Sequence, residues 1–220
     1  MSDFEIAPSL LAADFGYLMR DIKSVEEKTN YLHLDVMDGH FVDNLSIGVP
    51  VVESIRKYTD MFFDVHLMLT NPEKFIKPFA DAGANMITFH IECTNDPDGL
   101  ISLIKSYGVK AGISIHPHTP IETVLPYVDK CDLILVMTVV PGFGGSSYLE
   151  GSDERISAVR KAIDAKGADT FLSVDGGINI QTIKEAYDSG ARYFVAGSAV
   201  FGHEDPGAAV EELRSCITMS

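Results

Sequence analysis

Eight runs rich in Val, Ile, Leu, Phe and Tyr recur along this chain at intervals of roughly 20 to 35 residues, each followed by a stretch with helical periodicity. The runs are 5–11, 31–37, 62–69, 86–92, 111–116, 133–139, 170–174 and 193–196, and the helical stretches 15–28, 49–58, 72–82, 98–107, 120–131, 152–166, 180–189 and 206–218. Several runs are apolar almost throughout instead of alternating, as a parallel sheet covered on both faces requires. Eight strand–helix units in 220 residues predict one α/β domain over 1–220, a closed (β/α)8 TIM barrel near the small end of that fold's range. An open doubly wound sheet is the architectural rival. No Gly-x-Gly-x-x-Gly follows the first run, which disfavours it.

Local punctuation agrees with this segmentation. Asn71-Pro72, Asp96-Pro97, Thr119-Pro120 and Asp205-Pro206 read as helix starts, each a capping side chain ahead of a proline whose missing N–H is not needed in a first turn. Gly83, Gly108, Gly167 and Gly190 read as helix stops. Lys and Arg number 17 against 32 Asp and Glu, a net charge of −15, so the surface should repel a phosphate backbone and no nucleic-acid partner is expected. No stretch approaches 18 apolar residues and the amino terminus lacks a basic-then-apolar leader, so neither a membrane partner nor a signal peptide is expected; the expected location is the cytoplasm. Cys93, Cys131 and Cys216 are far apart with no Cys-x-x-Cys pair, which points to buried thiols and not to a disulfide framework or thiolate zinc site.

In such a barrel the chemistry sits at the carboxyl ends of the strands, so polar residues there carry the functional signal. His33, Asp35 and Met37 share one face of the second strand, and His66 and Met68 one face of the third. The seventh ends on Asp175. An imidazole and a carboxylate facing into a barrel are costly unless paired or bound to a cation. Two imidazoles and two carboxylates at one mouth suit a divalent transition metal, the plainer alternative being hydrogen-bonded core residues. His90 either joins the set or, the reading preferred here, stands behind it, orienting a ligand or satisfying a core hydrogen bond. Met37, Met68 and Met137 fall near the same rim, as core filler or as an apolar lining around a reactive intermediate. His40, His116 and His118 also lie near strand ends, with no role assigned.

Three glycine-containing turns follow the sixth, seventh and eighth strands: Gly142, Phe143, Gly144 and Gly145, then Gly176 and Gly177, then Gly197 and Ser198. Backbone N–H groups exposed by such turns bind phosphate without a lysine, and the last two loops are where these barrels frequently hold it. No Gly-Lys-Ser/Thr is present, so a nucleoside triphosphate is not implied. The lysines fall on helices or at the wrong end of the barrel, which removes a Schiff-base mechanism. What remains is a phosphorylated small molecule, a polarising metal, and Asp35 and Asp175 on different parts of the ring. One base and one acid approaching from opposite faces is what inverting a stereocentre beside a carbonyl needs. Metal ligation lowers the pKa of such carboxylates, so the metal must stabilise the intermediate enough to compensate.

Six segments carry a wider likeness: 7–14 (APSLLAAD), 33–41 (HLDVMDGHF), 64–68 (DVHLM), 137–145 (MTVVPGFGG), 174–179 (VDGGIN) and 196–198 (AGS). Through them nearly the whole chain resembles the ribulose-phosphate 3-epimerase family, whose fold is a phosphate-binding (ribulose-phosphate-binding) barrel. The resemblance implies an isomerase that interconverts D-ribulose 5-phosphate and D-xylulose 5-phosphate. It implies one divalent metal per subunit on His33, Asp35, His66 and Asp175, with zinc the usual metal and iron, manganese or cobalt alternatives. It implies Asp35 and Asp175 as the acid/base pair, Ser9 and His66 touching substrate, phosphate held by the three glycine turns, and a homo-oligomer, dimer or hexamer. Val140, Ser146-Ser147-Tyr148 and His116 depart from the family's usual residues and are expected to border the substrate cavity. Sugar length is therefore open. D-allulose-6-phosphate 3-epimerases, acting on a hexulose phosphate, are the nearest alternative. A non-catalytic sugar-phosphate-binding barrel is a further one. Chemistry like that of orotidine-phosphate decarboxylase fits poorly, because 64–69 lacks the lysine and second aspartate of Asp-x-Lys-x-x-Asp.

Overall fold

The computed structural model describes residues 3–218; residues 1–2 and 219–220 of the expected 1–220 domain lie outside the described residues. Its strands are β1 (Glu5–Pro8), β2 (Tyr31–Met37), β3 (Phe62–Met68), β4 (Met86–His90), β5 (Lys110–Ile115), β6 (Leu133–Met137), β7 (Phe171–Asp175) and β8 (Tyr193–Ala196). All pair in parallel in the order β1-β8-β7-β6-β5-β4-β3-β2, and the ring closes at a parallel bridge between Ser9 and His33. The architecture is the (β/α)8 barrel, not the open sheet. Around it run α1 (Leu18–Val25), α2 (Val49–Arg56), α3 (Ile76–Asp81), α4 (Pro97–Ser106), α5 (Ser152–Lys166), α6 (Ile183–Asp188), α7 (Ser198–Phe201) and α8 (Pro206–Thr218).

The near-continuous apolar strands serve two separate cores. Leu32, Leu34 and Val36 of β2, like Phe63, Val65 and Leu67 of β3, pack outward against helix residues such as Ile22, Val52 and Ile76. Each such side chain contributes about 1.5–3 kcal/mol on burial. Inside the ring lies a smaller cluster of Ala7, Met86, Leu133, Leu135, Met137, Tyr193 and Val195. Its amino-terminal end is plugged by aromatic rings, Tyr31 lying 5.1 Å from Phe62 and 5.3 Å from Tyr193. The opposite end, where the strands finish, is left for polar groups.

Several expected elements are shorter or different. The helix expected over 120–131 is two 3-10 turns, Ile121–Thr123 and Leu125–Tyr127. Pro126 lies inside that segment, withholding an N–H and disfavouring helical geometry at Leu125. The fourth strand stops at His90, and Ile91–Cys93 curls into a 3-10 turn. The first stops at Pro8, and Ser9 caps the 3-10 turn Leu10–Ala12 by accepting from the Leu11 N–H. Asp96 caps α4 as expected, whereas Asn71 makes no side-chain cap. Gly83, Gly108, Gly167 and Gly190 all adopt positive φ where helices end. Helix α7 is not among the expected elements, being a single turn of four residues directly after β8.

Candidate active site

Strands β2 and β3 run in register, setting His33 opposite Asp64 and Asp35 opposite His66. His-x-Asp thus faces Asp-x-His, and four ionisable side chains cross on the inner wall. Asp64 Oδ2 lies 2.8 Å from His33 Nδ1. That contact places the imidazole proton on Nδ1 and turns the Nε2 lone pair toward the mouth. Asp35 Oδ1 lies 3.3 Å from His33 Nε2 and 3.1 Å from His66 Nδ1, and Asp35 Oδ2 accepts from Ser9 Oγ at 2.6 Å. Asp175, from β7 beyond β1 and β8, brings Oδ2 to 3.9 Å from His33 Nε2 and 3.7 Å from His66 Nδ1.

These atoms meet what a cation requires. One ligand atom from each of His33, Asp35, His66 and Asp175 falls within 4.8 Å of the others. His33 Nε2 is buried with no hydrogen-bond partner among the described residues. A stranded buried acceptor costs about 1–3 kcal/mol unless something meets it. Two imidazole nitrogens and two carboxylates form a nitrogen–oxygen donor set suited to a divalent transition metal.

The electrostatics are divided between the two aspartates. Burial would raise the Asp35 carboxyl, but His33 and His66 beside it more than reverse this and hold it far below the usual carboxylate range. Asp175 is pushed up to about 6 by burial and then by the neighbouring Asp35 charge. Burial opposes charge on His33, yet Asp35 and Asp64 outweigh it and raise its pKa well above the ordinary value. A metal on His33 Nε2 therefore competes with a proton.

Asp35 and Asp175 line a cavity of about 330 Å³, together with Met37, Met68 and Met137. The glycines of the three turns, Phe143, Ser198 and Ser9 complete its wall. His33 and His66 are fully buried and are not among the residues that line the cavity. Asp64 is the residue that sequence reading missed. The mirror wording of 33–35 and 64–66 was its only signal, and it becomes legible only with the strand register.

At the other side of the cavity the β7–α6 turn is pinned by side chains. Thr138 Oγ1 donates to the carbonyls of Asp175 and Gly176 at 3.0 and 2.5 Å, while Asn179 Nδ2 and Thr182 Oγ1 donate to Gly177 O at 3.0 and 2.8 Å. Fixing those carbonyls fixes the peptide planes that carry the neighbouring N–H groups. Gly176 and Gly177 have φ of +118° and +66°, and a Cβ on Gly177 would strike the backbone of Tyr148. Of the residues that depart from the resembled family, Ser146 and Ser147 line the cavity. Val140, 49% exposed, and His116 do not line it, and Tyr148 stands behind the wall with its backbone against Gly177.

Residues 5–201 match the model of the Ribulose-phosphate 3 epimerase family. The ribulose-phosphate 3-epimerase of Mycobacterium tuberculosis (strain ATCC 25618 / H37Rv) is 49% identical over 95% of this chain and 91% of its own length. Those of Bacillus subtilis (strain 168) and Escherichia coli (strain K12) are 44% and 42% identical, over 96% and 98% of this chain and 98% and 96% of theirs. Among solved structures, one of KGPDC from Streptococcus mutans aligns with a TM-score of 0.77 over 99% of both chains at 14% identity. A 3-hexulose-6-phosphate synthase aligns at 0.71, over 97% of this chain and 100% of that one, at 18% identity. At such identities these two likenesses speak for the shared barrel alone.

Proposed function

This chain belongs to the ribulose-phosphate 3-epimerase family, and from that premise we propose that it interconverts D-ribulose 5-phosphate and D-xylulose 5-phosphate by proton transfer at C3 between Asp35 and Asp175. The observation that carries the reading is two carboxylates lining one cavity from different strands, β2 and β7, with opposite electrostatics: Asp35 held ionised, Asp175 pushed up to about 6. Paired groups whose pKa values are driven apart by their surroundings are how one site supplies both a base and an acid.

Asp35, ionised and oriented by the Ser9 hydroxyl, takes the C3 proton of a ketose seated between the aspartates. Asp175 returns a proton to the opposite face, and the roles exchange in the reverse direction. His33, Asp35, His66 and Asp175 would hold a divalent cation, which would supply Lewis-acid stabilisation of developing negative charge worth several kcal/mol. Met37, Met68 and Met137 exclude water from the carbon being inverted. The phosphate is oriented by backbone N–H groups of Gly142–Gly145, Gly176, Gly177, Gly197 and Ser198, which supports a reading without any lysine or arginine at that end.

Incubating zinc-loaded protein with ribulose 5-phosphate in D2O and following C3 by NMR is the direct test. Deuterium is expected at C3 with inversion. Neither exchange nor turnover with ribulose 5-phosphate overturns the pentulose reading, and the same outcome with allulose 6-phosphate overturns the epimerase mechanism itself. Turnover of the hexulose phosphate alone supports the second reading, which the small Ser146 and Ser147 on the cavity wall favour.

A further inference from the structure

We infer that His90 and Glu92 form a positioning relay that fixes the tautomer of His66, so that its Nδ1 lone pair faces the cation site. The inference rests on the metal reading above and concerns residues that do not touch the cavity. His66 and His90 are both fully buried, and their Nε2 atoms lie 2.9 Å apart with ring planes 23° from parallel. Two ring nitrogens at that distance share one proton, so one must donate and the other accept.

Glu92 decides which. The 3-10 turn after β4 curls it back until Oε2 is 3.3 Å from His90 Nδ1. His90 Nδ1 is buried and makes no other close polar contact among the described residues, so the Glu92 carboxylate is the charge that faces it. A carboxylate facing that nitrogen favours a hydrogen on it, because two opposed lone pairs repel and the His90 ring is itself fully buried. Neutral His90 then has its lone pair on Nε2, which must accept from His66 Nε2–H. With its hydrogen on Nε2, His66 turns Nδ1 toward Asp35 Oδ1, 3.1 Å away, where a cation held between them would take the place of a shared proton.

The relay is itself anchored. Glu92 Oε1 accepts from the His116 N–H at 2.8 Å, and Arg155 donates to the carbonyls of His116 and Thr119 at 3.0 and 2.9 Å, tying the carboxylate to the β5 loop and α5. The Phe41 ring, 4.6 Å away by centroids, packs against His90. Both imidazoles of the site are thus governed by a carboxylate, His33 directly by Asp64 and His66 at one remove by Glu92. His116, which lies off the cavity wall, acquires a place as a backbone donor to that anchor.

Nitrogen-15 NMR of the histidine side chains, in metal-free and zinc-loaded protein, tests the relay without reference to activity. His90 is expected as the Nδ1–H tautomer, the minor one in free histidine, and His66 with a proton on Nε2, in both states. His90 protonated on Nε2 in the wild-type protein overturns the inference. Zinc competition against a chelator gives the second readout: His90→Leu is expected to weaken affinity about 10–100-fold, and His90→Gln, whose amide oxygen can accept from His66, to recover most of that loss. Glu92→Gln is expected to let His90 sample both tautomers. Wild-type zinc affinity in His90→Leu, or equal loss in His90→Leu and His90→Gln, overturns the relay. Correct tautomers and affinities with no C3 exchange would instead overturn the proposed reaction and leave the relay standing.

Discussion

Single side chains here act through the partner that dictates their protonation. Asp35 and Asp175 have the same chemistry, and their difference comes from what touches them. Two imidazoles and a serine hydroxyl surround the first, while burial beside an existing negative charge raises the second. Asp175→Asn preserves the shape of the wall and removes the carboxyl proposed to carry the proton. Turnover is expected to fall by at least about a hundredfold, the lower range of general acid–base contributions, while a phosphate-bearing substrate analogue binds within a few-fold of wild type. Steady-state kinetics and calorimetric titration check the two halves; an active variant refutes the role given to Asp175. The histidines and aspartates of the site could be named from sequence, because polar residues two apart at the end of an apolar strand stand out. Asp64 could not, because its meaning depends on facing His33 across a strand boundary.

Among the elements, the turns after the strands do more than connect. The β7–α6 turn holds a positive-φ glycine against the backbone of the β6–α5 loop, so two walls of the cavity are set by one close approach. Gly177→Ala adds a Cβ in the left-handed region and against Tyr148. It is expected to cost about 1–3 kcal/mol in urea unfolding and to raise KM more than it lowers kcat, since the displaced loops carry the glycine turns proposed to hold the phosphate. An unchanged KM would remove the turn from that role. Helices are legible where proline, aspartate and glycine mark their ends, as in α4 and α5. They are not legible where a proline lies inside the segment, as at Pro126, or where a single turn is too short to show a period, as in α7.

For the molecule as a whole, the barrel separates stability from chemistry. The aromatic plug and the outer apolar layer occupy one end and the perimeter, leaving the other end to groups that would be unfavourable in a core. Four inward-facing donors at that end are a local weakness that a bound cation offsets only in the folded state. At a zinc concentration near 100 times Kd the gain is about 2.7 kcal/mol. Removing the metal with a chelator is therefore expected to lower Tm by roughly 5–10 °C, at about 2–4 °C per kcal/mol for a chain of this size. Scanning calorimetry with and without zinc checks this, and an identical Tm would argue against a native metal site. The loss should shrink as pH falls, and from above the ordinary imidazole range, because the raised His33 pKa lets a proton compete for the cation's place.

By itself the sequence determined that this chain alternates eight strands with helices, that its polar residues gather at the strand ends, and which motifs it shares with an epimerase family. Each of these is a local pattern, readable from side-chain period and from residues whose backbone freedom is special. Only the tertiary structure decided which of the gathered residues meet. Closure of the ring through Ser9 and His33 and the β2–β3 register bring Asp64 onto His33, and the curl after β4 swings Glu92 back to His90. Those contacts join residues on different elements, and no periodicity along one chain specifies the partner across a strand.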